Sequence, residues 1–197
     1  MGLKVNNSFG FGDASSGGGG GIIPPTNSFG LFAQTSDGSV YEDSTRPTNL
    51  IGSGVGTLSV PADGFKVADS FNFKMGGKIS VQNNNTLRVQ IVSNGSIILA
   101  DSGFVALGGA TNKDWLIDTT FTIREIGIAG VASIHTNGLF TTQRNGGQQF
   151  EGFNSDSSNS TTFDTKIVNT LTVVFTWGTQ SINNSMYSDM FVLTKIF

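Results

Sequence analysis

The stretch FKVADSFNFKM, residues 65–75, alternates apolar and polar side chains. Its odd positions include Phe65, Val67, Phe71 and Phe73, and four of its five even positions are polar. A period of two places successive side chains on opposite faces, which is the pattern of a half-buried β-strand. The stretch therefore predicts a strand whose odd side chains enter a core.

The same odd phase recurs in three later segments, which are separated by Gly, Asn and Asp residues that favour turns. Asn94-Gly95 and Asn145-Gly146 each predict a tight hairpin, because Asn-Gly tolerates the positive φ of such turns. Gly76-Gly77 and Asn137-Gly138 are predicted to be further turns. The apolar odd positions of the later segments are Leu87, Val89, Ile91, Trp115, Ile117, Phe121, Ile123, Leu171, Val173, Phe175 and Trp177.

The composition favours strands over helices. Of the 197 residues, 27 are glycine and 16 are phenylalanine, and 13% are charged. Aromatic residues suit strands, whereas Gly, Asn, Ser and Thr have low helix propensity. About ten strands in about 170 residues predict an all-β, two-sheet antiparallel jelly-roll sandwich, since an immunoglobulin-like fold usually needs fewer. The candidate strands are 29–36, 50–60, 65–75, 78–82, 86–92, 96–100, 115–125, 129–136, 139–143, 147–153, 161–164, 170–177 and 188–196.

The first 26 residues differ in composition from the rest of the chain. They contain five consecutive glycines and the pair Pro24-Pro25, and they show no apolar periodicity. This composition is typical of an extended, flexible segment that proline stiffens at its end. We therefore predict an extended N-terminal arm, residues 1–26, followed by one β-sandwich domain, residues 27–197.

Four apolar side chains of this arm are candidates for anchoring the protein to a partner. Leu3, Val5, Phe9 and Phe11 can fill grooves of a partner or add an edge strand to its sheet. The glycines let the backbone follow an irregular surface, at an entropic cost that binding must offset. We expect the arm to attach the domain to a larger assembly.

Charge and residue usage argue against several functional classes. The net charge is −3, and the lysines and arginines are scattered singly, so no basic patch is available for nucleic acid or for an anionic membrane surface. The sequence has no cysteine, no apolar run long enough to span a membrane and no apolar segment typical of a secretory signal. We expect neither nucleic acid nor a membrane as a partner.

No catalytic set of residues can be recognised. His135 is the only histidine, no G-x-S-x-G motif accompanies it, and we expect it at a strand end beside a turn. The acidic candidates for a glycosidase pair are too dispersed to predict two neighbouring carboxylates. We predict that the protein is not an enzyme and holds no metal or cofactor. The acidic candidates are Asp101, Asp114, Asp118, Glu125 and Asp156.

Two polar or glycine-rich motifs favour structural roles. GSGVGT, residues 52–57, leads into a strand and not into a helix, so it indicates a bend or bulge in a strand and not a nucleotide loop. NSDSSNS, residues 154–160, lacks the ligand density of a calcium loop. We expect it to be a solvated polar loop.

The aromatic residues offer little for a carbohydrate platform. Trp115 and Trp177 fall in phase with the buried positions of their strands, so we expect them in the core. Tyr41 and Tyr187 remain as candidate surface contacts.

Three stretches resemble virion proteins of tailed bacteriophages. Residues 56–91 match a T-L-x-[IV]-P-A step followed by an F-K-V-G-D-S strand, a G-x-[IL]-S turn and a T-L-x-[IV]-x-[IV] strand. Residues 169–196 are similar to the closing pair of strands in those proteins, and residues 119–130 to a middle strand. Ala68 replaces the usual glycine, which we expect to disturb little. The matching residues are Thr57, Leu58, Pro61, Ala62, Phe65, Lys66, Val67, Asp69, Ser70, Lys74, Gly77, Ser80, Thr86 and Leu87.

This resemblance implies a jelly-roll module on the virion surface, often trimeric, without catalytic residues. We therefore expect a non-enzymatic structural protein of a phage virion, of the capsid-decoration or head-fibre type, made in the host cytoplasm. Its partners would be other virion proteins, bound through the arm, and two further copies of itself. The alternative is an adhesin at the tip of a tail fibre, which binds a host receptor or glycan.

Overall fold

The computed structural model describes residues 29–146 and 150–197, and both ranges are built from β-strands. These residues include no helix long and apolar enough to cross a membrane. The all-β prediction is confirmed. The strands are β1 (Phe29–Gln34), β2 (Tyr41–Glu42), β3 (Thr48–Asn49), β4 (Gly54–Gly56), β5 (Ser59–Val60), β6 (Ser70–Val81), β7 (Thr86–Ser93), β8 (Ile97–Asp101), β9 (Val105–Ala106), β10 (Ala110–Ile126), β11 (Val131–Gln143), β12 (Phe150–Asp164), β13 (Asn169–Trp177) and β14 (Ser185–Lys195).

The strands form two antiparallel sheets. The first sheet has the order β12-β11-β10-β6-β14-β1-β4, and β2 also pairs with β14. The second has the order β3-β13-β7-β8, and β5 and β9 pair with β13 and β7. Strand β6 pairs with β14 in the first sheet, while β7 pairs with β13 in the second. Two of the crossings between the sheets, from β6 to β7 and from β13 to β14, therefore join strands that pair in both sheets.

The core lies between the sheets and follows the predicted period of two. Phe71 and Phe73 of β6 are buried, and so is Phe175 of β13. Trp115 of the first sheet packs edge-on against Phe175 of the second, with ring centroids 5.3 Å apart. Val67 was predicted to be buried but is 56% exposed, because β6 begins only at Ser70 and the preceding residues form a loop.

Two predicted turns are wrong, because the chain runs straight through them. Gly76-Gly77 lies inside β6, and Asn137-Gly138 lies inside β11. A Cβ on Gly77 would overlap the Tyr187 carbonyl oxygen of β14. Glycine is required at this position by the close approach of a neighbouring strand, and not by a turn.

The prediction of a loop at the polar stretch 154–160 is also wrong, because this stretch belongs to β12. Its backbone pairs with β11 from Asn154 to Asn159. The Asn159 side chain donates hydrogen bonds to Thr162 Oγ1 at 2.7 Å and to the Ile98 carbonyl of β8 at 3.1 Å. Pairing with a neighbouring strand thus overrides the low strand propensity of Asn and Ser.

The hairpin at Asn94-Gly95 is confirmed. Asn94 and Gly95 have φ values of 52° and 74°, and they connect the antiparallel strands β7 and β8. Gly146 also has a positive φ, 82°, in the connection between β11 and β12.

The expectation that alanine at position 68 disturbs the structure little is wrong, because the backbone there has a positive φ. Its φ is 76°, in the left-handed region that favours glycine and costs other residues about 1–2 kcal/mol. A glycine would occupy this position without that strain.

Candidate functional site

One end of the sandwich carries the start of β1 and the end of β14. Phe29 pairs with Lys195, so residues 1–28 join the domain beside the last strand. The β10–β11 and β12–β13 turns meet here, since the Thr165 hydroxyl donates to the Gly130 carbonyl at 2.8 Å. We call this the arm end, and we call the opposite end of the strands the far end.

The four predicted anchor side chains lie outside the described residues. Leu3, Val5, Phe9 and Phe11 precede Phe29, where the description of the chain begins. Their role in anchoring stays a prediction. The structure does show where residues 1–28 join the described part of the chain, beside Lys195 of β14.

Exposed apolar side chains surround that point. Ile128, in the β10–β11 turn, is fully exposed. Its carbonyl accepts a hydrogen bond from Lys166 Nζ at 3.2 Å, and the Val168 carbonyl accepts one from Asn94 Nδ2 at 3.1 Å, so these turns are held together. Exposed apolar groups of this kind are typical of interaction surfaces. Those at the arm end are Val67, Ile128, Ile167, Val168, Ile196 and Phe197.

A buried ion pair fixes the loop that precedes β6 to the end of β14. Lys195 Nζ lies 2.6 Å from Asp69 Oδ1, and the Asp69 side chain is 7% exposed. The second oxygen, Asp69 Oδ2, accepts a hydrogen bond from the Lys66 backbone N–H at 2.9 Å. A buried carboxylate needs such partners, so the arm end has a defined geometry.

The prediction that His135 lies at a strand end is wrong, because His135 lies inside β11. Its imidazole is exposed, and Nδ1 lies 3.1 Å from Ser158 Oγ of β12. Within the described part of the chain, no carboxylate is hydrogen-bonded to this imidazole, and a catalytic triad requires one.

The acidic residues considered for a glycosidase pair either accept hydrogen bonds from other side chains or lie too far from one another. Asp114 Oδ1 accepts from Lys78 Nζ at 2.6 Å, and Asp118 Oδ1 accepts from Asn72 Nδ2 at 2.8 Å. These two carboxylates are four residues apart on β10, which corresponds to about 13 Å along a strand. Glycosidase pairs are separated by about 5–9.5 Å. Glu125 is exposed near the end of β10, and the side chain of Asp156 is outside the described set.

Asp101 is held by several donors. Arg88 donates to both carboxylate oxygens, and Gln90 Nε2 and the Gly103 N–H donate at 3.1 and 2.9 Å. Burial alone raises the pKa of Asp101, but the hydrogen bonds from Arg88, Gly103 and Gln90 outweigh it and hold the pKa below its ordinary value. The guanidinium also lies over the Phe104 ring, 5.8 Å from its centroid. The cluster ties β7 to the end of β8 and to the residues that follow it.

The tryptophan prediction is confirmed, and one tyrosine prediction is wrong. Trp115 and Trp177 are 3% and 1% exposed. Tyr41 is predicted to be a surface contact, but it is buried against Trp177, and its hydroxyl accepts from the Trp177 backbone N–H at 3.2 Å. Burial raises the pKa of Tyr41. Tyr187 is half-buried.

The remaining motifs have structural roles. In the segment 52–57, Gly54–Gly56 forms the edge strand β4, as the strand interpretation predicted, and Gly56 has a φ of 104°. Residues 29–146 and 150–197 bring together no three His, Asp or Glu side chains that could hold a metal ion.

Sequence reasoning missed a polar cleft at the far end, where Gln82, Asn83, Asn145 and Asn183 converge. The asparagine clusters at 83–85 and 183–184 were the available signal. Such clusters are common in turns, so they did not point to a site.

No protein-family model matches the chain, and no curated protein matches it in sequence. Fold and site together define a two-sheet, antiparallel all-β protein, in which the described chain begins at one end and a polar cleft lies at the other.

Proposed function

We propose that this protein is a non-enzymatic structural protein of a bacteriophage virion, displayed on the particle surface as a capsid decoration or head fibre. The arm, residues 1–26, attaches it to other virion proteins. The supporting observation is that the stretches resembling phage virion proteins pair with one another in the fold.

This pairing makes the resemblance structurally continuous. Residues 56–91 include β5, β6 and β7, and residues 169–196 include β13 and β14. Strands β6 and β14 pair in one sheet, and β7 and β13 pair in the other. The third stretch, residues 119–130, continues β10 beside β6. Likeness over a contiguous unit supports a shared architecture better than likeness at scattered positions.

The pairs β6–β14 and β7–β13 also support a jelly-roll description of the sandwich. In a jelly roll, an antiparallel ribbon folds over so that its strands pair in both sheets. The pairs β6–β14 and β7–β13 have this relation. On their other sides, β6 is flanked by β10 and β7 by β8, so β10, β11 and β12 extend the first sheet as a meander.

The position of the arm sets the proposed orientation. Phe29, at the start of β1, lies at the arm end together with the exposed apolar side chains of that end. The proposed arm therefore joins the sandwich there. The arm end therefore faces the particle, and the far end faces outward. We also propose a homotrimer, because a low share of charged residues together with exposed apolar side chains favours contacts between copies.

Particle assembly tests the proposal directly. A phage deleted for this gene would be complemented with the full chain, with a variant lacking residues 1–23, or with a variant carrying Leu3→Ser, Val5→Ser, Phe9→Ser and Phe11→Ser. We expect only the full chain to copurify with particles and to be labelled on their surface by immunogold electron microscopy. A matched control is Ile22→Ser with Ile23→Ser, which changes two apolar residues outside the predicted anchor.

Full occupancy by the truncated protein would show that the anchor lies elsewhere. Absence of the full chain from purified particles would contradict the virion assignment itself.

A second candidate function is that of an adhesin at a tail-fibre tip, which binds a host receptor or glycan. The observation that favours it is the polar cleft at the far end, on the side away from the arm.

A further inference from the structure

The cleft at the far end has a volume of about 530 Å³, within the range of ligand pockets. One wall is the end of β6 with Gln82 and Asn83. The second wall is the start of β10 with Asn145, and the third is the β13–β14 connection with Asn183. Four separate parts of the chain thus converge on one space, because Asn145 comes from the connection after β11.

Hydrogen bonds behind the β13–β14 wall fix its shape. The buried Asn184 accepts from the Gln82 N–H through Oδ1 at 3.0 Å and donates to the Thr179 carbonyl at 3.3 Å. Ser181 Oγ donates to Gln82 Oε1 at 2.6 Å. The wall opposite the β6 end is therefore held in place without a ligand.

The β10 wall is fixed in the same way. Asn83 Oδ1 accepts from the Gly109 N–H at 3.1 Å. Asn145 Oδ1 accepts from the Thr111 N–H at 3.0 Å, and Asn145 Nδ2 donates to Thr111 Oγ1 at 3.1 Å. Preorganised polar groups of this kind reduce the entropic cost of binding.

Hydrogen-bonding groups remain free inside this frame. Gln82 and Asn83 use their carbonyl oxygens within the protein, and among the described residues neither NH₂ group has an acceptor. The Asn183 side-chain carboxamide has no partner in the same set, although its backbone N–H donates to Ser181 Oγ at 3.2 Å. Each carboxamide NH₂ supplies two donors. The free groups therefore favour a ligand rich in acceptors and in weak donors.

The lining carries no charge. It consists of Asn, Gln, Ser, Thr and Gly together with Val81, Ala110 and Ile182, and Ile182 is 86% exposed. An anion would need a cation or a cluster of backbone donors, and a metal ion would need carboxylates. A neutral polyhydroxylated molecule needs amide groups for its hydroxyls and an apolar contact for its C–H faces, and this cleft offers both.

We propose that the cleft binds a neutral saccharide, about one or two sugar units in size. Gln82, Asn83 and Asn183 hydrogen-bond its hydroxyls, and Ile182 packs against its ring. This inference deepens the adhesin candidate, on which it rests for its biological setting. Binding to the cleft does not depend on whether the protein joins a particle.

The test is saturation-transfer NMR followed by calorimetric titration with the full chain. The ligands are neutral oligosaccharides of hexoses, N-acetylhexosamines and 6-deoxyhexoses, with sialylated and sulfated oligosaccharides for comparison. We expect binding of at least one neutral member, with an affinity that stays within twofold between 50 and 500 mM NaCl, because no ion pair is involved.

Four variants assign the binding to the cleft. Gln82→Glu and Asn83→Asp keep the oxygen that the protein uses and remove the free NH₂ donor, whereas Asn183→Ala and Ile182→Ala remove groups without protein hydrogen bonds. We expect each to weaken binding at least fivefold with an unchanged melting temperature. Asn137→Ala is the matched control, because Asn137 is an exposed residue of β11 away from the cleft. This variant should bind as the unmodified chain does.

Two results would overturn the inference: no neutral saccharide binds, whether or not charged saccharides do, or binding survives all four variants. Neither of them bears on attachment through the arm, which the particle experiment tests separately.

Discussion

Thr119 of β10 fills the space that a side chain at Gly138 of β11 would need. The two residues pair across the strands. A Cβ on Gly138 would overlap Thr119 Oγ1 and lie 2.6 Å from Thr119 Cγ2. Thr119 is 1% exposed, so it has little room to move away.

Gly138→Ala should therefore lower the free energy of unfolding by about 1–3 kcal/mol, the usual cost of overpacking a core. Urea unfolding followed by tryptophan fluorescence measures the change. Adding Thr119→Ala should recover part of the loss, because it removes the two nearest atoms. Gly30→Ala is the control, since a Cβ there meets nothing within 4 Å. Equal effects of the two alanine variants would contradict this explanation.

Ala68→Gly should raise the stability by about 1 kcal/mol, because it removes the cost of a positive φ at a residue with a Cβ. The opposite sign is expected for Ala33→Gly in β1, where glycine costs about 0.5–1 kcal/mol in chain entropy. Thermal unfolding of both variants checks the pair. A loss of stability in Ala68→Gly would refute the strain argument.

Phe73→Ala and Trp177→Ala should each cost about 3–5 kcal/mol, because both side chains are 1% exposed or less and leave large cavities. Ile128→Ala, at a fully exposed position, should change the stability by less than about 0.5 kcal/mol. Guanidinium unfolding measures all three. A small effect of both aromatic substitutions would contradict the observed core.

Asp101 should make the stability depend on pH in acid. Its folded pKa lies below the ordinary 3.8, so its contribution is present above about pH 4 and is lost as the pH falls through the folded value. Asp101→Asn should cost roughly 1 kcal/mol at pH 6, and the difference from the unmodified chain should shrink below pH 3.8. Arg88→Gln should show the same trend, since it removes the main partner. A difference that is constant from pH 6 to pH 2.5 would contradict this role.

The proposed homotrimer predicts a sedimentation coefficient that corresponds to three chains at micromolar concentration. Analytical ultracentrifugation of the full chain and of residues 27–197 separates the contribution of the domain from that of the arm. A monomer in both samples would count strongly against trimerisation.

The core could be predicted from the sequence because burial in a strand leaves a period-two record. Phe71, Phe73 and Trp177 are buried as that record indicates. Strand ends were predicted less well, because a glycine marks either a turn or a close approach of backbones. At Gly77 and Gly138 the neighbours Tyr187 and Thr119 decide between the two, and they come from distant parts of the chain.

The candidate sites show the same limit. Tyr41 looked like a surface residue, but it stacks on Trp177, which is 136 positions further along the chain. The far-end cleft depends on Gln82, Asn145 and Asn183 meeting from three connections. No local pattern in the sequence records such a meeting. Likewise, only the register that pairs Phe29 with Lys195 shows where residues 1–28 join the described chain.

That register position also makes the domain suitable for transplantation. Because Phe29 and Lys195 are neighbours across one ladder, the sandwich could be spliced into a surface loop of an unrelated host protein through two short linkers, without stretching either partner. The far end would then project from the host as a rigid presenting head, on which foreign peptides could be grafted into the connections that surround the cleft.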